Sequence, residues 1–354
     1  MTMVSRARSE VQAMKAYFSA RNSLPADREW VFLDASELPC EPLPGTQGYA
    51  RYGAQQPPAL IATLAKLYGV DKDQVMVARG ADEAIDMLIR TFCEPGKDNV
   101  IINPPTFPMY AQFSRLHGAS VKNIDLREDF TPDLDKILAA VDENTKLVFI
   151  CSPNNPTGNT LDRAVVRRLC TALAGRALVI VDEAYIDFCP EETCQAFLNE
   201  FDNLVLLRTL SKAYALAGVR CGCLIARPEI VELCLRVLAA YPMPVPAVDV
   251  VLKTLEPANV QRLNAQRAEV LKTRDAFAKD LATVPGVEKV FPSKSNFVLV
   301  RVADANKVMT LSHDNGYILR DMSAVPRLKN CLRISMGTPE QMSGFVRLLR
   351  EGKS

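Results

Sequence analysis

Short apolar runs alternate with segments of helical periodicity from about residue 57 to residue 226. The runs are VMVA (75–78), NVIIN (99–103), KLVFI (146–150), ALVIV (177–181), NLVLL (203–207) and GCLIA (222–226). Between them, helical spacing predicts helices over 57–68, 82–92, 109–117, 132–141 and 161–174. In the second of these, Ile85, Leu88, Ile89 and Phe92 recur on one face. Buried parallel strands are apolar on both sides, so this alternation predicts an α/β domain with a largely parallel sheet. After residue 227 the pattern changes. A helix is expected over 227–240, then three alternating prolines, Pro242, Pro244 and Pro246, which forbid a regular helix there. A long amphipathic stretch (258–283), alternating runs at 287–291, 296–302 and 331–337, and a closing helix from Pro339 predict a smaller α+β domain. The expected organisation is an N-terminal arm over 1–45, a large α/β domain over 46–240 and a small domain over 241–354.

Composition narrows the class. The chain has 354 residues, 48% of them hydrophobic and 23% charged, enough for about two self-sufficient cores. Its 42 Lys and Arg balance 41 Asp and Glu, which offers no electrostatic footprint for nucleic acid or an anionic membrane. No run approaches the roughly 18 apolar residues that span a bilayer. MTMVSRARSE lacks a secretory apolar core. Two histidines, His117 and His313, are too few for a multi-histidine metal site, and no metal is expected. Ten cysteines without a C-x-x-C pair read as reduced, buried thiols of a cytoplasmic protein, Cys221 and Cys223 included. No G-x-G-x-x-G follows any expected strand, which argues against a nicotinamide-binding oxidoreductase.

Three successive runs end in polar clusters. KLVFI leads into Ser152-Pro153-Asn154-Asn155-Pro156-Thr157-Gly158, ALVIV into Asp182-Glu183-Ala184-Tyr185, and NLVLL into Arg208-Thr209-Leu210-Ser211-Lys212. If these strands are parallel, all three clusters share the rim where open α/β sheets bind ligands. An amide, a carboxylate with a phenol, and an amine on one rim suit pyridoxal phosphate. Lys212 supplies an amine for a Schiff base, Asp182 a carboxylate for the pyridine nitrogen, and Tyr185 and Asn155 hydrogen bonds to the ring oxygen. Ser211, Arg220 and the helix start at Arg79-Gly80-Ala81-Asp82 supply a phosphate site.

SPNNPTG, VDEAYIDF, RTLSKAYALAGVRCG and RGADE resemble the fold-type I, class II pyridoxal-phosphate-dependent aminotransferases, and most of all their histidinol-phosphate branch, over nearly the whole chain. The resemblance implies a mostly parallel central sheet flanked by helices with a smaller C-terminal α+β domain. It implies that Lys212, Asp182, Tyr185, Asn155, Ala81, Asp82, Ser211 and Arg220 hold the cofactor, with Phe107 stacked on its ring. It further implies that Tyr52 reaches the phosphate of the other subunit's cofactor in a homodimer. Arg333 would grip a substrate α-carboxylate bidentately, Arg320 would bind the substrate's phosphate, and Tyr17 and Asn155 would complete the pocket.

The implied reaction exchanges an amino group between histidinol phosphate and 2-oxoglutarate, giving imidazole-acetol phosphate and glutamate. An aromatic or broad-range aminotransferase and a phosphothreonine decarboxylase of the same fold are the alternatives. The sequence departs from the family pattern at Phe107, commonly tyrosine, at Ser36, commonly asparagine, and at Gly53-Ala54 after Tyr52.

Overall fold

The computed structural model describes residues 3–17, 30–46 and 48–352. Its principal sheet contains β1 (Val75–Ala78), β2 (Asn99–Ile102), β3 (Ser120–Asn123), β4 (Thr145–Cys151), β5 (Leu178–Asp182), β6 (Leu204–Thr209) and β7 (Gly222–Ile225). The strand order is β1-β7-β6-β5-β4-β2-β3. The ladders from β6 through β5, β4 and β2 to β3 are parallel. β7 is antiparallel to both neighbours, β1 and β6. The six apolar runs all became strands. The seventh, β3, is an edge strand of mixed polarity, SVKN, and carries no such run.

Helices cover both faces: α2 (Pro58–Tyr68), α5 (Leu134–Ala140) and α6 (Arg163–Leu173) on one, α3 (Ala81–Phe92), α4 (Met109–His117) and α7 (Pro228–Val237) on the other. The strands therefore feed two cores by strict alternation. In β5, Leu178 and Ile180 join the α3 side, whereas Val179 and Val181 join the α2 side. Each such fully buried side chain stabilises the fold by roughly 1.5–3 kcal/mol. The same alternation sends Asp182 and Glu183 to opposite faces at the strand end.

Of the N-terminal arm, residues 18–29 lie outside the described residues. A short helix, α1 (Ser9–Ala13), docks on the body: Met3, Ala7 and Val11 are buried with α3 and α7. Arg236 ties it down by donating to the carbonyls of Val11 and Gln12.

Beyond residue 241 the proline segment does contain a helix. α8 (Val245–Thr254) starts with Pro246 in its first turn, where a missing N–H breaks no hydrogen bond. Met243, Val251, Leu255 and Leu263 pack in the core of the α2 face, so the chain after residue 241 first continues the large unit. The core of the small unit begins in the C-terminal half of α9 (Pro257–Leu281), at Phe277 and Leu281. It covers an antiparallel sheet of β8 (Val287–Val290), β9 (Phe297–Val302), β10 (Arg320–Asp321) and β11 (Cys331–Ser335), ordered β10-β11-β9-β8. α10 (Ala305–Asp314) and α11 (Pro339–Glu351) complete this unit.

Candidate active site

The parallel register brings the three polar clusters to one rim. Asp182 is the last residue of β5 and pairs with Cys151 of β4 and Leu207 of β6. It is 3% exposed. Its Oδ1 accepts from the Ala184 amide at 3.0 Å and its Oδ2 from the Tyr110 hydroxyl at 2.5 Å. Burial pushes its carboxyl up to about 6, and the two hydrogen bonds restrain that rise.

Lys212 stands three residues beyond the end of β6, exposed on the rim, with Nζ 5.7 Å from the centre of the Tyr185 ring. Crowding by the cleft wall lowers its ammonium below the usual lysine range, and the nearby guanidiniums of Arg333 and Arg220 act in the same direction. Tyr185 is buried against Phe297, ring centres 5.2 Å apart. Burial pushes its phenol up to about 12, so it stays protonated and able to donate at neutral pH.

The candidate anion cradle is built where three backbones meet. Gly80 caps α3 without a side-chain cap and with φ of 86°, leaving the amides of Ala81 and Asp82 at the helix start. A Cβ on Gly80 would come within 2.7 Å of Arg220 Nη2, and one on Gly222 within 2.6 Å of the Arg208 carbonyl oxygen. Only glycine permits that approach. Arg220 Nη1 donates to Ser211 Oγ at 3.3 Å, and its Nη2 lies 3.3 Å from Asp82 Oδ2. Thr209 Oγ1 accepts from the Ser211 amide at 3.2 Å, fixing the turn ahead of Lys212.

Arg333, in β11, crosses to the large unit and donates to Asn155 Oδ1 at 2.5 Å, while its guanidinium lies 5.4 Å from the centre of the Phe297 ring. Among the described residues its buried Nε has no hydrogen-bond partner, as expected of a donor that meets an anion. Arg320 is exposed on β10. Phe107 meets Tyr110 edge to face at 5.6 Å. Tyr17 and Tyr52 come together around Tyr241: Tyr52 stacks on it at 4.3 Å and the Tyr17 hydroxyl is 3.2 Å from its hydroxyl.

Two features escaped the sequence reading. Tyr110 lies one helical turn beyond Phe107, and that i, i+3 spacing was the only signal for it. Behind the rim, buried Arg208 pairs with Glu183 at 2.7 Å and approaches Asp187 at 3.9 Å. Asp187 accepts from the Tyr214 hydroxyl at 3.2 Å and lies 4.0 Å from Arg267 of α9.

The residues present fit pyridoxal phosphate. The glycine-lined cradle with Ser211 and Arg220 suits a phosphate, the buried carboxylate a pyridine nitrogen, and the amine of lowered basicity an aldehyde.

Comparison with known proteins agrees with this geometry. Residues 41–349 match the family Aminotransferase class I and II. The chain is 42% identical over 352 residues to the histidinol-phosphate aminotransferase of Sodalis glossinidius, covering 99% of this chain and 97% of that one. It is 39% identical to the enzyme of that name from Haemophilus influenzae strain PittEE over the full length of both. Among solved structures, the histidinol-phosphate aminotransferase of Sinorhizobium meliloti in complex with pyridoxal-5'-phosphate superposes with a TM-score of 0.77 at 24% identity, covering 85% of this chain and 82% of that one. Aspartate aminotransferase of Thermus thermophilus in complex with maleate shares the fold with a TM-score of 0.74 at 20% identity, over 86% of this chain and 84% of that one. With most of its length matched by the family and its rim carrying the expected polar set, the chain belongs to the class I and II aminotransferases.

Proposed function

We propose that this chain is a pyridoxal-phosphate-dependent histidinol-phosphate aminotransferase, exchanging an amino group between L-histidinol phosphate and 2-oxoglutarate in histidine biosynthesis. The observation that carries the reading is the full-length identity of about 40% to enzymes of that name, joined to two arginines placed side by side on the small sheet.

When bound, the cofactor supplies an aldehyde that takes up an amino group and a ring that accepts electron density. The chain's residues do the rest. Ala81, Asp82, Ser211 and Arg220 hold the phosphate. Asp182 would keep the pyridine nitrogen protonated, Asn155 and Tyr185 would donate to the ring oxygen, and Phe107 would stack on the ring. Lys212 holds the cofactor by its amine. The same amine would take the proton from the substrate Cα, a task suited to a lysine whose basicity is lowered.

Histidinol phosphate has no α-carboxylate. Its anion is a phosphate ester on the carbon next to Cα, carrying about −1.5 to −2 charges at pH 7 as phosphate monoesters do. The role of Arg333 as a carboxylate grip therefore applies to glutamate, and both Arg333 and Arg320 serve the phosphate. Asn155 orients Arg333, and Tyr17 closes the pocket.

The enzyme acts as a homodimer in the cytoplasm, with Tyr52 reaching the phosphate group in the partner's site. Val31, Leu33, Leu38 and Leu43 stand exposed on the single chain, an apolar surface that a second copy would cover. Ten free cysteines, nine of them buried, support a reducing compartment.

A coupled assay of glutamate formation from 2-oxoglutarate tests the substrate, with histidinol phosphate, phenylalanine or tyrosine as amino donor. Histidinol phosphate is expected to give the highest kcat/KM. Equal turnover of phenylalanine, or release of carbon dioxide from phosphothreonine, overturns the assignment.

A further inference from the structure

The buried carboxylate of Asp182 has a side-chain partner of its own. Tyr110 is fully buried in the first turn of α4. Its ring is fixed from two sides, stacked on Phe149 of β4 at 4.9 Å with planes 10° apart, and met edge-on by Phe107. Its hydroxyl donates to Asp182 Oδ2 at 2.5 Å, the short distance of a charge-assisted bond. Asp182 Oδ1 takes the Ala184 amide, so the carboxylate plane is set from both ends, and each oxygen keeps a further lone pair.

We propose that Tyr110 is a positioning residue that acts through Asp182: its hydroxyl keeps that carboxylate ionised and aimed, so that the shared proton resides on the pyridine nitrogen.

The physical need is clear from the surroundings. Asp182 is deeply buried, and two other carboxylates, Asp82 and Glu183, act on it in the direction that favours its protonation. Cys151, its cross-strand neighbour, and Tyr185 are neutral at pH 7, and Lys212 is the cation on the cleft side. Left alone, a carboxyl in that position competes with the ring nitrogen for the proton. A phenol whose own ionisation is pushed far up by burial remains a donor throughout the working pH range. It stabilises the carboxylate form more than the protonated one, and so shifts the proton toward nitrogen. A hydrogen bond to a charged group contributes enough to redistribute the proton about tenfold or more.

This inference rests on the pyridoxal-phosphate reading of the site. Its test is the 15N chemical shift of the ring nitrogen, with labelled pyridoxal phosphate bound to wild-type protein and to Tyr110→Phe at fixed pH 7. The substitution keeps both ring contacts and removes only the hydroxyl. The shift is expected to move toward the unprotonated position in the variant, with weaker cofactor affinity. Difluorotyrosine at position 110, a stronger donor of nearly the same shape, is expected to move it the opposite way, and serves if Tyr110→Phe folds poorly. With Asp182→Asn in the background, the Tyr110 change should have no further effect on the shift. A bound signal that ignores the hydroxyl in both variants overturns the role of Tyr110 and leaves the cofactor reading standing. Wild-type protein that gives no bound signal overturns both.

Discussion

Arg320 and Arg333 lie directly opposite each other in the antiparallel β10–β11 ladder, so two guanidiniums project from one face of the small sheet. Like charges placed this way repel. The arrangement is therefore poorly explained by stability and well explained by an anion that both would share. A doubly charged phosphate needs the pair more than a single carboxylate does. Arg320→Ala is expected to lower kcat/KM for histidinol phosphate about 10–100-fold, the loss of one or two charge-assisted hydrogen bonds, and to change that for phenylalanine far less. Arg333→Ala should damage both. Steady-state kinetics with the two donors decides, and an equal loss for both in Arg320→Ala would remove Arg320 from the phosphate.

Lys212 is expected to be indispensable. In Lys212→Ala the near-visible absorption of the lysine-linked cofactor should disappear and turnover should fall by several orders of magnitude, since both the covalent hold and the Cα base are lost. Titrating purified variant with pyridoxal phosphate while recording the spectrum checks this. Near-normal turnover would refute the assigned chemistry.

Much of this was legible beforehand for a physical reason. Strands buried on both faces must be apolar throughout, so β1, β2, β4, β5, β6 and β7 announced themselves, and the polar residues ending β4, β5 and β6 stood out against them. What stayed hidden lacked such contrast. β3 is an edge strand with polar positions. β10 has only two residues. α8 begins inside a proline segment that reads as irregular. The contacts of Tyr110 with Asp182 and of Arg208 with Glu183 join residues 72 and 25 positions apart in sequence, through strand register that periodicity does not encode. Arg320 and Arg333 were singled out only through resemblance, because an arginine in a strand has no pattern of its own.

Asp182 should trade stability for function. Its folded-state carboxyl is raised to about 6, above the ordinary carboxylate value, chiefly by burial. A raised acid pKa means that the folded protein holds the proton more tightly than the unfolded chain. Ionised Asp182 therefore destabilises the fold above about pH 6, and this penalty shrinks to nothing below about pH 4. In cofactor-free protein, Asp182→Asn should raise stability at neutral pH by up to about 3 kcal/mol. The gain should grow between pH 4 and 6 and stay flat above. Urea unfolding across that range tests the sign, and a variant less stable than wild type at pH 7 would contradict it. The same variant should bind pyridoxal phosphate more weakly, since the carboxylate is what the ring nitrogen requires.

The last prediction concerns the far side of the sheet. Asp182 and Glu183 are consecutive, yet alternation turns Asp182 to the cofactor face and Glu183 to the α2 face, where Arg208 waits at the end of β6. Both members of this pair are nearly inaccessible, and Arg208 also lies 5.0 Å from the centre of the Tyr68 ring and 2.9 Å from Thr193 Oγ1. Through Asp187 the cluster extends to Tyr214, two residues past Lys212, and to Arg267 of the long helix that links the two cores. Removing one partner of a buried ion pair strands the other, at about 3–5 kcal/mol. Arg208→Met should therefore lower the free energy of unfolding by about that much. The double variant Arg208→Met, Glu183→Gln should recover a large part, because the stranded charge is gone. Since the pair ties the ends of β5 and β6 together, the single variant should also loosen the Lys212 turn and weaken cofactor binding. Denaturation midpoints of wild type, Arg208→Met, Glu183→Gln and the double variant, read beside their cofactor affinities, test this directly. Additive losses in the double variant would show that Arg208 and Glu183 act independently and that the rim does not depend on their pairing.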